Sequence, residues 1–415
     1  MQRIYYGWWI VAASFFIALY VAGIIFFGFT AFFEPIVQEF GWSYTAVSIG
    51  ASLRGLESGI LAPLIGFLVD RFGSRKLVLL GVITVGLGLL LLSQMHSLVT
   101  LYSAFLILSL GAGGCTSVVL YTSVANWFKR HIGRALGIAA CGFGAGGIMV
   151  PLIPWLISIY DWWTALIILA FGMWIIGIPL ALVIRDKPEQ YGYLPDGGKM
   201  PVVNPEHPTE SEAAGDRFSD IIKHRTLWLI SLAEAIRWII LTAVVIHIMP
   251  YLTTVGVPRT SAAFVAAAIP LVSLIGRFGF GWLGDMFDKR YLMAITYLLA
   301  GLGMLALSFA STGMLIFIFV ILFALALGGG VTLRGAMISD YFVRSSFGKA
   351  LGIVMGASAL GGIIGPALAG WTFDTTGSYK LIWLVYCGLT VVSVAVILLL
   401  KPVRNISTEL ESSAS

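Results

Sequence analysis

The chain has 415 residues, of which 59% are hydrophobic and only 11% charged, with 25 Lys and Arg against 20 Asp and Glu. A soluble globule carries about 25% charged residues. Here the apolar residues run in long blocks and the mean hydropathy is +0.96, so a water-soluble domain is excluded and a polytopic, all-α membrane protein is indicated. The net charge of +5 does not point to nucleic acid, because the basic residues sit at the ends of the apolar blocks.

A spanning helix takes roughly 20 mostly apolar residues, and twelve stretches qualify. The first six run from about 7–33, 44–69, 77–95, 99–123, 135–158 and 161–184. The first is too long for a signal-peptide core and is expected to remain as a span. A Pro-, Gly- and charge-rich stretch, 185–225, reads as a linker between halves, with a short surface helix expected near 216–224. The second six run from about 226–253, 260–283, 291–310, 314–338, 350–372 and 380–400, and a polar tail follows at 402–415. The expected organisation is a bundle over 1–184, the linker, a second bundle over 226–401 and the tail.

With the N-terminus placed inside, 19 of the 25 Lys and Arg fall in inner loops or tails, and only Arg259 and Lys380 fall outside. That asymmetry places both termini in the cytoplasm. The sequon at Asn405 then stays unglycosylated. Cys115, Cys141 and Cys387 lie inside apolar blocks at no metal-like spacing and read as small buried hydrophobes. No motif for a metal, a cofactor or an enzyme's nucleophile is present.

The chain repeats itself. Gly66 and Asp70 recur as Gly281 and Asp285; Gly133 and Arg134 recur as Gly348 and Lys349; Gly146, Gly147 and Pro151 recur as Gly361, Gly362 and Pro366. All lie at an offset of 285 − 70 = 215 residues. A parallel repeat of six spans is the layout of transporters that rock two halves about a central site.

The stretch "GFLVDRFGSRK" between the second and third spans resembles the signature loop of the major facilitator superfamily. "YYGWW" at the first span and "WFKRHIGRALGIAACGFGAG" leading into the fifth resemble the monocarboxylate transporter family. Trp127, Phe128, Lys129, Arg130, Ala135, Gly137 and Gly142 fit the second motif, with one extra loop residue; in the first, Tyr6 replaces the usual acid. The resemblance implies cotransport of a proton with a short organic anion such as lactate or pyruvate across the cell membrane, by a protein acting as a monomer. It also implies that Asp70 meets the helix beginning near Ala350, and symmetry places Asp285 against the one beginning near Ala135. A carboxylate there interacts with a helix N-terminus. Asp70, Arg71, Arg75, Asp285 and Arg290 are the expected gating residues, whose contacts break when the inner side opens.

Six charges fall within the spans: Arg54, Glu57, Glu234, Arg237, Arg277 and Arg334. Each is costly in a bilayer and is a functional candidate. Arg54 with Glu57, and Glu234 with Arg237, are spaced i, i+3 and can pair on one helix face; alternatively one carboxylate of each pair carries the proton. Arg334 is expected to snorkel toward the inner end near Asp340. Arg277 has no acidic residue within four positions and shares its helical face with Ser273 and Pro270. A lone guanidinium suits a carboxylate, and the resemblance places the family's substrate-binding Arg at this position.

Two departures from the family pattern bear on coupling. Ser273 stands where many members have an Asp, and Phe27 is the nearest match to their first-helix Lys. The expected substrate residues are Arg277, Ser273, Tyr121 and Phe27. Other readings stay open: an anion exchanger of the oxalate:formate type, disfavoured because the eleventh span has no basic residue beyond Lys349, or a non-transporting nutrient sensor.

Overall fold

The computed structural model describes residues 5–53, 55, 61–115, 117–128, 131–197, 222–310, 313–342 and 344–401. Among these, eleven helices are long and apolar enough to cross a bilayer: α1 (Gly7–Phe40), α3 (Ser74–Ser93), α4 (Leu98–Trp127), α5 (Ile132–Ile159), α6 (Trp162–Val183), α7 (Arg225–Thr254), α8 (Arg259–Met286), α9 (Lys289–Ser308), α10 (Gly313–Tyr341), α11 (Lys349–Thr376) and α12 (Lys380–Leu398). The remaining predicted span, α2, is seen as Tyr44–Leu53 and Ala62–Phe72. Helices of this kind satisfy their own backbone, as a lipid surround demands. The surface helix expected near 216–224 falls almost wholly outside the described residues, as does Asn405.

The helices outrun the apolar blocks where local chemistry favours it. α1 continues through Glu34 and Glu39 to Phe40 and stops at Gly41, whose φ of 65° is left-handed. α3 starts at Ser74 rather than near 77, because the Asp186 carboxylate accepts the Arg75 backbone N–H at 2.9 Å and caps the helix from the end of α6. In the second half the same task falls to Asp288, which accepts the Arg290 N–H at 2.9 Å and caps α9 locally. The Arg290 guanidinium beside Asp288 also holds that carboxyl below the usual carboxylate range.

The 215-residue repeat appears as a repeated seam. α5 packs on α1, and α11 packs on α7. A Cβ at Gly146 would stand 2.7 Å from the Gly23 N, and a Cβ at Gly361, its repeat partner, 2.2 Å from the Ala235 O. Only glycine permits that approach of backbones. In the first half both helices deform where they meet: α1 makes a π-helical turn over Ala22–Phe27, and α5 a 3₁₀ turn over Gly146–Met149.

The two signature stretches also meet. Tyr5, Tyr6 and Trp8 at the head of α1 pack on Trp127 and Phe128 at the foot of α4, with ring centroids 5.0–5.9 Å apart. Tyr6 donates to the Val183 carbonyl at 2.8 Å, and the Arg185 guanidinium lies 3.9 Å over its ring. Tyr6 thus joins α1 to the end of α6.

Candidate functional site

At one end of the bundle the halves are joined. Asp374, near the end of α11, accepts the backbone N–H groups of Tyr44 and Thr45 at 2.9 and 2.8 Å and the Thr45 hydroxyl at 2.5 Å. It therefore caps α2 of the other half. His247 of α7 is fully buried. Its Nε2 lies 3.0 Å from both Ser48 Oγ and the Pro366 carbonyl, and its Nδ1 lies 3.0 Å from the Tyr379 hydroxyl. Ser48 donates its own proton to the Tyr44 carbonyl, so Nε2–H donates and Nδ1 accepts from Tyr379. Thr253 donates to Glu34, and Arg259 to the Ala31 carbonyl at 2.6 Å.

The other end, where Tyr5 and Lys401 lie, is more open. Positions Gly133 and Gly137 of α5, Gly279 of α8 and Gly352 and Gly356 of α11 face empty space, whereas Gly144, Gly147 and Gly370, further along the helices, sit against the opposite half. Asp285 is exposed and, among the described residues, has no hydrogen-bond or ion-pair partner. Arg71 is exposed and lies over Phe72 at 5.5 Å; Arg290 pairs with Asp288 at 2.6 Å and donates to the Leu400 carbonyl at 2.7 Å. Arg54, Glu57 and the Asp70 side chain lie outside the described part of the molecule.

Between the ends lie the intramembrane charges. Arg277 on α8 is partly buried, and its Nε is buried without a hydrogen-bond partner. Its charge acts on the Tyr121 phenol of α4 and the Cys141 thiol of α5, both in the other half. Arg277 and Tyr121 thus lie within electrostatic range of each other, and no hydrogen bond joins them among the described residues. Ser273 is not brought with them. It lies in the α8–α10 seam, where a Cβ on Gly328 would be 1.9 Å from the Ser273 carbonyl oxygen, and its hydroxyl donates to the Pro270 carbonyl at 2.7 Å. Phe27 packs against Phe26 and Phe143, and Phe26 rather than Phe27 faces the pocket between the halves.

The second centre is Glu234, which is fully buried. Arg237 grips it with two bonds of 2.9 Å, Tyr297 of α9 donates at 3.5 Å, and Arg334 of α10 approaches at 3.5 Å. The expected self-pairing of Glu234 and Arg237 is present. The expected snorkelling of Arg334 is not: Asp340 is occupied by Lys289 at 2.6 Å, and Arg334 turns inward to Glu234. One carboxylate thus faces two guanidiniums. Arg334 also lines a pocket between the halves, with Phe26 and Ser52 on one side and Trp238, Thr242 and Ser358 on the other.

Sequence reasoning missed Tyr297, Trp238 and Asp374, and read Cys141 as a small buried hydrophobe, whereas it is half-buried. Tyr297 and Trp238 carry no spacing signal. Asp374 carried one: an acid at a helix end beside a chain reversal at Gly377.

Two six-helix halves, joined at one end around a charged, partly open centre, define a polytopic membrane transporter. The major facilitator superfamily model matches residues 15–311 and 238–414, and the chain belongs to that superfamily. Its sequence relatives are monocarboxylate transporters. Monocarboxylate transporter 12-B of Danio rerio is 27% identical over 398 residues, covering 90% of this chain and 82% of the relative. Monocarboxylate transporter 2 of Homo sapiens is 24% identical over 414 residues, covering 96% and 86%. Among solved structures, the nucleoside transporter NupG, as a point variant, matches with a TM-score of 0.75 at 12% identity over 95% of this chain and 99% of that one. A bacterial homolog of the human lysosomal transporter Spinster, inward-facing and occupied, matches at 0.71 and 17% identity over 96% and 95%. At these identities the structural matches speak for the fold alone.

Proposed function

We propose that the protein is a secondary active transporter that carries a small monocarboxylate of the lactate or pyruvate kind, together with a proton, across the cytoplasmic membrane by alternating access. The observation that carries the reading is Arg277: a guanidinium within a span, without an acidic partner among the described residues and within electrostatic range of Tyr121 of the opposite half. A ligand carboxylate there would neutralise the charge and touch both halves. The names of the sequence relatives support the substrate class. Glu234 is the proton-carrying carboxylate in this reading, and Arg237 the residue that stabilises its charged form. The end bearing Tyr5 and Lys401 is cytoplasmic, as the Lys and Arg distribution requires. Residues 185–225 link two halves that move against each other, and Asp70, Arg71, Arg75, Asp285 and Arg290 belong to the cytoplasmic gate.

The test is uptake of labelled lactate or pyruvate into proteoliposomes. A gradient acidic outside drives uphill uptake, whereas a membrane potential at equal pH does little, because one proton with one monoanion moves no net charge. Strong potential-driven uptake would contradict the stoichiometry. Arg277→Gln removes a charge-assisted bond worth about 1.5–3 kcal/mol, or roughly 10- to 150-fold in affinity, and is expected to abolish uptake of labelled lactate while the empty protein melts as wild type.

A further inference from the structure

The pocket between the halves holds more hydrogen-bond donors than it uses. Arg334 and Trp238 line it, and Arg237 lines an adjoining void; among the described residues, Arg334 Nε, Trp238 Nε1 and Arg237 Nη1 are buried without a hydrogen-bond partner. The hydroxyl protons around it are already committed. Ser52 donates to the Ser48 carbonyl at 2.7 Å, Thr242 to the Trp238 carbonyl at 2.7 Å and Ser358 to the Val354 carbonyl at 2.8 Å. A buried donor left unmatched costs free energy, so the occupant that suits this pocket is rich in acceptors. Arg334 is also the loosely held member of its cluster. Its 3.5 Å approach to Glu234 is long for a charge-assisted bond, which is usually about 2.7–2.9 Å. Arg237 supplies the two 2.9 Å bonds that hold Glu234.

We propose that this pocket is a carboxylate station separate from Arg277, in which Arg334 takes the anion while Glu234 takes up a proton. The anion comes from solution to the Arg334 guanidinium, one proton comes from solution to a Glu234 carboxylate oxygen, and the net charge of the protein with its ligand is unchanged. The coupling is electrostatic. An anion at Arg334 adds a negative charge near Glu234 and draws off one of its two cationic neighbours, and both changes favour the neutral acid. By reciprocity, protonating Glu234 frees Arg334 for the anion. Among the described residues, the groups facing Glu234 are Arg237 on its own helix, Arg334 from α10 and Tyr297 from α9. From α8, Arg277 acts on Arg237. α11 and α12 bring Ser358, Thr390 and Ser393 to the adjoining voids, and none of these changes charge near neutral pH.

The inference rests on the proton-coupled reading, but it is tested without transport. Acetate, brought to the pH of the sample, is added to purified full-length protein in weakly buffered detergent solution, and proton uptake and thermal stabilisation are recorded together. Wild type is expected to take up close to one proton per protein at saturating acetate, with the affinity of the linked step falling about tenfold per pH unit above the uptake range. Arg334→Gln is expected to weaken acetate binding about 10- to 100-fold, and Arg334→Lys to weaken it with the fold retained, because Lys keeps the charge but not the planar set of donors. Glu234→Gln is expected to bind with no proton uptake and no pH dependence. Arg277→Gln is expected to keep the linked uptake. Acetate binding in wild type without a proton, wild-type affinity in both Arg334 variants, or loss of linked uptake in Arg277→Gln would each overturn the proposal. A failure of the Arg277 reading is distinguishable, since Arg277→Gln would then transport at the wild-type rate whatever the Arg334 variants do.

Discussion

Arg277 and Arg334 lie on different helices of the second half and differ in their neighbours. Arg334 has Glu234, while Arg277 has, among the described residues, the phenol of Tyr121, the thiol of Cys141 and the cation of Arg237 within electrostatic range and no carboxylate partner. Arg277→Lys therefore separates charge from shape. It keeps the cation but loses the fork that grips a carboxylate in two places, so ligand affinity is expected to fall about tenfold, read by equilibrium binding, with little change in the empty-state melt. A large drop in that melt would mean that Arg277 supports the fold instead. Arg277 stood out in the sequence as a candidate because a lone charge in a span needs no partner to be noticed. Which of Phe26 and Phe27 lines the pocket between the halves was not legible, for a physical reason. The π turn over Ala22–Phe27 adds residues per turn and rotates the later part of α1 about its axis, so a regular helical register does not assign the pocket-facing ring, which is Phe26. Ser273 shares a face with Arg277 by spacing, but spacing does not reveal that α10 covers it at Gly328.

Along α11 the same residue type has two environments. Gly361 and Gly365 are pressed on the α7 backbone, with a built Cβ only 2.2 and 2.0 Å from the carbonyl oxygens of Ala235 and Ile239, whereas Gly356 has nothing within 4 Å. Gly361→Ala is expected to destabilise the protein by about 1–3 kcal/mol, as overpacking does, and to lower the melting temperature in detergent. Gly356→Ala is expected to raise it, since alanine is favoured over glycine in a helix by about 1 kcal/mol. If the open face of α11 must seat against the first half during the cycle, Gly356→Ala also slows transport despite its higher melting point. Equal melting temperatures for the two variants would refute the division of α11 into a packed and an open part. The twelve spans and the repeat were legible because lipid imposes long apolar blocks and because the glycines of a seam recur with it. Some caps were less so: Asp186 caps α3 from more than a hundred residues away, whereas its counterpart Asp288 sits beside the helix that it caps.

At the scale of the whole molecule, the contacts between halves divide the two ends. The sequence pointed to carboxylates that hold the end bearing the termini, and there Asp285 is exposed and without a partner among the described residues. At the opposite end Asp374 makes three bonds to the start of α2. If these acids hold alternate ends, neutralising them shifts one equilibrium in opposite directions. Asp374→Asn weakens a charge-assisted cap by about 1–2 kcal/mol, which changes a two-state ratio roughly 5- to 30-fold. Ile246 reports that ratio, because it lines the pocket from α7 and is buried in the present state. In a background with Cys115, Cys141 and Cys387 replaced by Ser, Ile246→Cys is treated with a membrane-impermeant maleimide from the Asp374 side. Asp374→Asn is expected to raise the labelling rate by roughly that 5- to 30-fold, because the state open at its end becomes more populated. Asp285→Asn is expected to lower the rate, because the state closed at its own end loses a cap. Labelling that is unchanged in Asp374→Asn would mean that His247, with Ser48, Tyr379 and the Pro366 carbonyl, holds that end closed by itself; a rate that rises in both variants would exclude a single equilibrium between two ends.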